Sequence, residues 1–366
     1  MRYLFITGQL NAGGAERVLL DVLRHFDYSQ HEVDLCQIVE GGTLIGEVPS
    51  EVDRIALWRD YTLGYKIACR FSRCLRMDFL IRERMRKKLP GRYDVVISFL
   101  EGIPLRFHAI GYPEASRHVT WVHANLLDNP YESCQFRNEE EERASYARMH
   151  RIVCVSKSAQ DAFCSRFPEL KHTACTIENP IVLERVLQMA NVEEVPESDI
   201  VVVGRLNQTK GVDRAVQALQ ILQQRGRPCT LTVVGDGPQR SELENLASRA
   251  GVESQIRFIG YTANPYPYMR RAKVLLCPSR SESFCLAICE ALALGVPVVA
   301  TPTTGAQELL LENQYGLLSD HDPESIAEAI ECLLSDSSLM AMYQKRGPAR
   351  AAEYDVANTM KAIYCL

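Results

Sequence analysis

Short unbroken apolar runs, separated by stretches with apolar residues at helical spacing, recur along this chain. Runs at 3–7, 31–39, 93–100, 118–123 and 151–156 predict buried strands, and 15–26 (AERVLLDVLRHF) predicts an amphipathic helix. A second series begins at 199–204 and continues with a helix over 212–225 and a strand over 230–235. It goes on through a helix over 239–250, a strand over 256–261, a short helix near 267–271, and strands over 273–277 and 296–301. Strands alternating with helices imply α/β domains, and two such series imply two doubly wound, Rossmann-like parallel sheets facing a central cleft. The first domain spans 1–180 and ends at Asn179-Pro180, 181–198 reads as a linker carrying Glu193, Glu194, Pro196 and Glu197, and the second domain spans 199–346.

Composition places the chain among ordinary soluble globular proteins, with 366 residues, 46% apolar and 24% charged. Residues 1–180 hold 24 Lys and Arg against 24 Asp and Glu, so the formal charge of −5 belongs wholly to the remainder. Thirteen Cys are scattered without a C-x-x-C pair, which argues against a disulfide framework and a zinc site and for reduced thiols in the cytoplasm. Cys285 and Cys289 read as small apolar packing residues. The first eight residues carry no charged leader, and no run approaches the roughly 18 apolar residues of a membrane span.

Residues 65–92 depart from this balance. Ten cations, from Lys66 to Arg92, face only Asp78 and Glu83, while Ile67, Phe71, Leu75, Phe79, Leu80 and Met85 recur among them at helical intervals. Such a helix either lies on an anionic membrane surface or holds phosphates of a lipid carrier, or it is a solvated helix with its apolar stripe on the core. Nucleic acid is not the partner expected, given the overall acidity.

The densest chemistry lies at 277–305, where a strand runs into a serine-rich loop, a helix and another strand. Ser279, Ser281 and Ser283 surround the helix start, where unpaired N–H groups favour an anion. Glu282 and Glu290 stand eight residues apart, so on one helix they would share a face, as paired carboxylates for acid/base work do; the plain alternative is a helix-start charge and a solvated side chain. Arg205 and Lys210, just past the strand that opens the second domain, supply two cations for a diphosphate. Gly235 begins a tight turn on the same rim, Gly13 and Gly14 open the first helix to close backbone approach, and His123 follows a strand. Asp322 before Pro323 reads as a helix cap, so no metal is expected from Asp320-His321-Asp322.

Assembled, these residues resemble the retaining GT-B glycosyltransferases with an E-x7-E motif, family four or group 1 of the usual grouping. The resemblance rests on 13–17 (GGAER), His123, Asn179-Pro180, 203–206 (VGRL) with Lys210-Gly211, 234–238 (VGDGP), Glu282 to Glu290, and Gly305 to Glu308. It implies that Arg205 and Lys210 neutralise the leaving diphosphate in place of a metal, so that no metal or other cofactor is expected beyond the nucleotide sugar. Backbone N–H groups of Leu286 and Ala287 would hold the distal phosphate, Glu290 the ribose, Glu282 the donor sugar, and the backbone around Ile259 the base. Ser283, Phe284, Cys285 and Gly235 would complete the donor pocket, Gly13 and Gly14 would close over the phosphates, and His123 would bond the sugar and support charge in the transition state. Transfer would retain configuration, moving a hexose or N-acetylhexosamine, from a UDP-sugar in preference, to a lipid-linked or oligosaccharide acceptor of a surface polysaccharide. The enzyme would sit on the inner face of the plasma membrane, and 347–366 would form a helix packing back on the first domain. Ser283 and Cys285 replace two glycines common in the family, which puts Cys285 beside the donor sugar. A nucleotide-sugar 2-epimerase of the same architecture is the alternative, with Glu101 as its first-domain carboxylate.

Overall fold

The structure, a computed structural model, describes all residues except 12, 90, 128–134 and 193. It divides into two compact units, one of Met1–Pro180 with Val356–Leu366, the other of Ile181–Asp355.

The first unit alternates β1 (Arg2–Thr7), α1 (Gly14–Arg24), β2 (Glu32–Val39), β3 (Val52–Trp58), α2 (Leu63–Leu75), α3 (Phe79–Lys88), β4 (Tyr93–Ser98), α4 (Ile103–Gly111), β5 (Ala115–Val122), α5 (Glu139–Ala147), β6 (Arg151–Cys154), α6 (Lys157–Arg166) and β7 (Ala174–Thr176). All strands pair parallel, in the order β3-β2-β1-β4-β5-β6-β7. Leu4, Phe5, Ile6, Val95, Val96 and Ile97 are fully buried because helices cover both faces of the sheet, which is why these strands read as continuous apolar runs. Side-chain caps mark helix starts: Thr62 accepts from Tyr65 N, Asn138 from Glu141 N and Ser156 from Ala159 N.

The single basic helix expected over 65–92 needs correction here. The basic stretch is two helices, broken where Arg76 adopts a left-handed conformation at φ 54°. Their inner contacts are Ala68, Ser72, Ile81 and Met85, whereas Ile67, Leu75 and Phe79 stay exposed. Strand β3, with Asp53 and Arg54 interrupting its apolar run, carries no clean signal in the sequence and forms the sheet edge.

The second unit opens with α7 (Leu183–Met189), then β8 (Ser198–Val203), α8 (Val212–Gln224), β9 (Leu231–Val234), α9 (Arg240–Ala250), β10 (Ile256–Gly260), α10 (Tyr266–Arg270), β11 (Ala272–Cys277), α11 (Leu286–Ala293), β12 (Val298–Ala300), α12 (Thr304–Leu310), β13 (Leu317–Leu318), α13 (Pro323–Ser335) and α14 (Ser337–Ala352). The parallel sheet runs β10-β9-β8-β11-β12-β13. The stretch expected as a linker therefore contains a helix, since Val186 and Ala190 join the core of Leu275, Ile288 and Leu292; Glu193 lies outside the described residues. Asp322 caps α13 by accepting from Ser325 N, and Gly295, at φ 67°, follows the end of α11.

The chain leaves the second unit at Asp355 rather than at 347, and α15 (Val356–Tyr364) belongs to the first. There Tyr364 stacks on His31 at 4.9 Å and meets Phe26 edge-on at 5.6 Å.

Candidate functional site

In the second sheet the strand order reverses direction between β8 and β11, and a crevice opens beyond the carboxyl ends of strands at such a point. Two loops emerge side by side there, 204–211 after β8 and 278–285 after β11. Several bonds lock them together. Arg280 grips Asp213 with two bonds of 2.8 and 2.6 Å and donates to Gln208 O at 2.8 Å, and its own N–H donates to Thr209 O. Gly211 is required at this seam: its φ is +64°, and a Cβ there would lie 2.1 Å from Pro278 O.

Inside the seam Lys210 Nζ meets Glu282 Oε1 at 2.5 Å, and Ser279 Oγ donates to the same oxygen at 2.8 Å. Burial alone would lower the Lys210 pKa, but the Glu282 carboxylate beside it outweighs this and holds the ammonium above its ordinary value. Arg205 is exposed on the same loop, with no ion-pair partner among the described residues. Ser279 is itself anchored, because Thr301 Oγ1 donates to its carbonyl at 2.5 Å.

Glu282 lies in the loop before α11, not on it, so the shared helix face anticipated for Glu282 and Glu290 does not exist. The loop is pinned from the far side, where Gly305 N and Thr304 Oγ1 donate to Glu282 O at 2.8 and 3.1 Å. Helix α11 starts at Leu286 with Cys285 as its cap residue; the N–H groups of Ile288 and Cys289 turn back onto Cys285 O, which leaves those of Leu286 and Ala287 facing outward at the positive helix end. Glu290 sits on the second turn and accepts from Tyr266 Oη at 3.1 Å; burial, then this carboxylate, raises the Tyr266 pKa, and Arg185 of α7 opposes them. Gly235 N donates to Gly260 O, which sets the turn after β9 beside half-buried Ile259. Ser283 and Phe284 are half-buried on the loop, Phe284 edge-on to Tyr354 at 5.4 Å.

Cys285 is a second correction. Its thiol is buried, 3.6 Å from the Cys277 sulfur and in the core cluster of Ile288 and Leu292, so it does not line the crevice. Cys277, Glu282 and Cys285 are the one group among the described residues whose ligand atoms come within 4.8 Å of one another. The Lys210 ammonium already occupies the carboxylate of that trio, and a cation there would meet its charge.

In the first unit, His123 follows β5. Its Nε2 is buried without a hydrogen-bond partner, while a bond to the Phe99 backbone engages the other ring nitrogen. Burial pushes its pKa down to about 3, against that bond, so the ring is neutral, with Nδ1–H donating and Nε2 free to accept. Glu101, the carboxylate of the epimerase alternative, is buried and accepts from His123 N at 2.8 Å; it fixes the backbone that carries the imidazole. Gly13 caps α1 and Gly14 begins it, while Ala12 lies outside the described residues.

Sequence reasoning brought together the 204–211 and 278–290 residues but missed Arg280, Asp213, Tyr266 and Arg185. Arg280 and Asp213 leave no trace because their partners lie 67 residues apart. Tyr266 lay near the short helix the periodicity did suggest.

Two family models match the chain, Glycosyltransferase Family 4 over residues 12–185 and Glycosyl transferases group 1 over residues 188–350. The chain is 31% identical over 163 residues to an alpha-D-kanosaminyltransferase of Streptomyces kanamyceticus, covering 43% of this chain and 42% of that protein. It is 30% identical over 214 residues to the N-acetylgalactosamine-N,N'-diacetylbacillosaminyl-diphospho-undecaprenol 4-alpha-N-acetylgalactosaminyltransferase of Campylobacter jejuni, covering 57% and 58%. These matches thus span well under two thirds of either relative. The solved structure of Anabaena Alr3699/HepE in complex with UDP-glucose is similar over 100% of this chain and 98% of that one, with a TM-score of 0.75 at 21% identity, which shows the shared GT-B fold.

Proposed function

The chain belongs to the family-four, group 1 glycosyltransferases, and on that premise we propose that it is a retaining transferase moving a hexose or N-acetylhexosamine from a UDP-sugar to a lipid-linked glycan acceptor in surface polysaccharide synthesis. The observation that carries this is the Lys210–Glu282–Ser279 cluster beside Arg205 and the open N–H groups of α11. Cations and helix N-terminus converge on one anion, and Glu290 stands a helical turn away for ribose. UDP-glucose in the similar Anabaena structure and a diphospho-undecaprenol acceptor in the name of the Campylobacter relative support the choice of donor and acceptor.

In the reaction the bond from the sugar anomeric carbon to the UDP oxygen breaks as an acceptor hydroxyl bonds that carbon on the same face, and the hydroxyl proton passes to the departing phosphate. Arg205 and Lys210 spread the charge that develops on this phosphate, in the place a divalent metal would take. Glu282 accepts from sugar hydroxyls; in the first unit, neutral His123 keeps Nε2 available as an acceptor, and its tilted contact with Phe99, 5.1 Å between rings, holds the plane. Peripheral membrane docking is part of this reading and is supported by α2 and its flanks, where Tyr61, Leu63, Ile67, Leu75, Met77 and Phe79 are exposed among Lys66, Arg70, Arg73 and Arg76. Among the described residues no helix is long and apolar enough to cross a membrane.

The test is incubation with UDP-glucose or UDP-N-acetylglucosamine, with and without a polyprenyl diphosphate glycan, in excess chelator. Acceptor-stimulated UDP release with an α-linked product supports the reading. Epimerised donor without acceptor, or a β-linked product, overturns it.

A further inference from the structure

We propose that the groove between edge strand β3 and helix α3 of the first unit is a second anion site, built for a phosphate or diphosphate group. Assigning that group to the glycan acceptor rests on the transferase reading; the anion site itself does not. The groove is open to solvent, has a volume of about 700 Å³ and is lined by Glu40, Arg54, Trp58, Arg59, Arg84 and Lys88, among others.

Its construction follows from the fold. Strand β3 is the last in its sheet, so its outer edge has no strand neighbour, and residues two apart along it, Arg54 and Trp58 among them, point to one side. Helix α3 packs across that side and presents Arg84 and Lys88 one turn apart. Arg84 Nε donates to Leu57 O at 2.6 Å, and its guanidinium stands 5.8 Å from the centre of the Trp58 ring, so this cation is fixed over the groove floor.

The charge is what the fold leaves unexplained. Elsewhere on α3, Glu83 holds Arg86 at 2.9 Å and Lys87 at 3.2 Å, and Arg82 donates to Ile110 O at 3.3 Å. The four that line the groove form no ion pair among the described residues, and Glu40 is the one carboxylate among the lining residues. Four cations against one carboxylate give the groove a net positive charge that favours an anion. Three are arginines, whose forked N–H donors match phosphate oxygens two at a time. The volume exceeds one phosphate and accommodates a diphosphate or a phosphorylated sugar. A nucleic acid does not suit a chain of formal charge −5.

The experiment is titration with inorganic pyrophosphate by calorimetry, in saturating UDP so that the donor diphosphate site is filled. It compares the wild type with two double variants, Arg54→Gln with Arg84→Gln and Arg59→Gln with Lys88→Gln; the second removes no side-chain hydrogen bond among the described residues. Each double variant is expected to weaken pyrophosphate about tenfold or more, with UDP affinity and unfolding midpoint unchanged in the second. Equal pyrophosphate affinity in wild type and both variants overturns the site, whether or not UDP binds; loss of UDP binding by the wild type would strike the transferase reading alone. Flotation on phosphatidylglycerol vesicles separates the sources. Lost flotation in the double variants identifies a lipid headgroup as the natural ligand and overturns its assignment to the acceptor; retained flotation with lost pyrophosphate binding supports that assignment.

Discussion

Replacing Lys210 by Met separates two roles that the structure gives one side chain. The change removes the ammonium 2.5 Å from Glu282 and leaves that carboxylate with the Ser279 hydroxyl. Breaking a fully buried pair costs about 3–5 kcal/mol; here 30% of the Lys210 side chain and 11% of that of Glu282 remain exposed, which reduces the loss to about 2 kcal/mol of stability. Catalysis loses more, because a fixed charge aimed at a developing anion is worth about a hundredfold to a thousandfold in turnover. Initial rates of UDP release, with urea unfolding in parallel, are measured for Lys210→Met, Glu282→Gln and the double variant. If Lys210 serves the leaving phosphate, its removal costs turnover equally with and without the Glu282 carboxylate. A double variant no slower than Glu282→Gln alone would reduce Lys210 to a positioning residue. Turnover by Lys210→Met within about threefold of wild type, close to the additivity error of such cycles, would refute the reasoning.

Tyr266→Phe removes the 3.1 Å bond to Glu290 and is expected to weaken UDP about tenfold by calorimetry, as loss of a bond to a charged group does; an unchanged Kd would take Glu290 off the nucleotide. Cys285→Ala should cost about 1 kcal/mol by urea unfolding and leave the ratio of UDP-glucose to UDP-N-acetylglucosamine turnover unaltered, because the thiol packs inward; a changed ratio would put it against the sugar. Buried His118, which shares a 2.9 Å bond with His108, has its pKa lowered to about 4 by burial, then by His150 and Arg148. The unfolded chain therefore takes up its proton first as pH falls: the stability from keeping this ring neutral is present above about pH 6.5 and is lost between there and pH 4, about 2 kcal/mol of it by pH 5. His118→Gln should flatten the urea midpoint over that window, and an equally steep wild type and variant would refute the assignment.

The order of strands and helices was legible because a strand buried on both faces is an unbroken apolar run, and each run here sits between glycines, prolines and amphipathic stretches. The loops that carry Arg205, Lys210, Glu282 and the start of α11 were legible for the same local reason, since they follow strand ends. Strand β3 was hidden because an edge strand tolerates charge on its open side, and α7 because a short helix with few buried residues has little periodicity to show. What tertiary structure alone decided is which groups meet. Glu282 left the helix because Gly305 and Thr304 hold its carbonyl, Cys285 turned inward onto Cys277, and Arg280 found Asp213 across the seam. Such choices depend on contacts between residues distant in the chain, so composition and spacing name the participants while packing assigns them their partners.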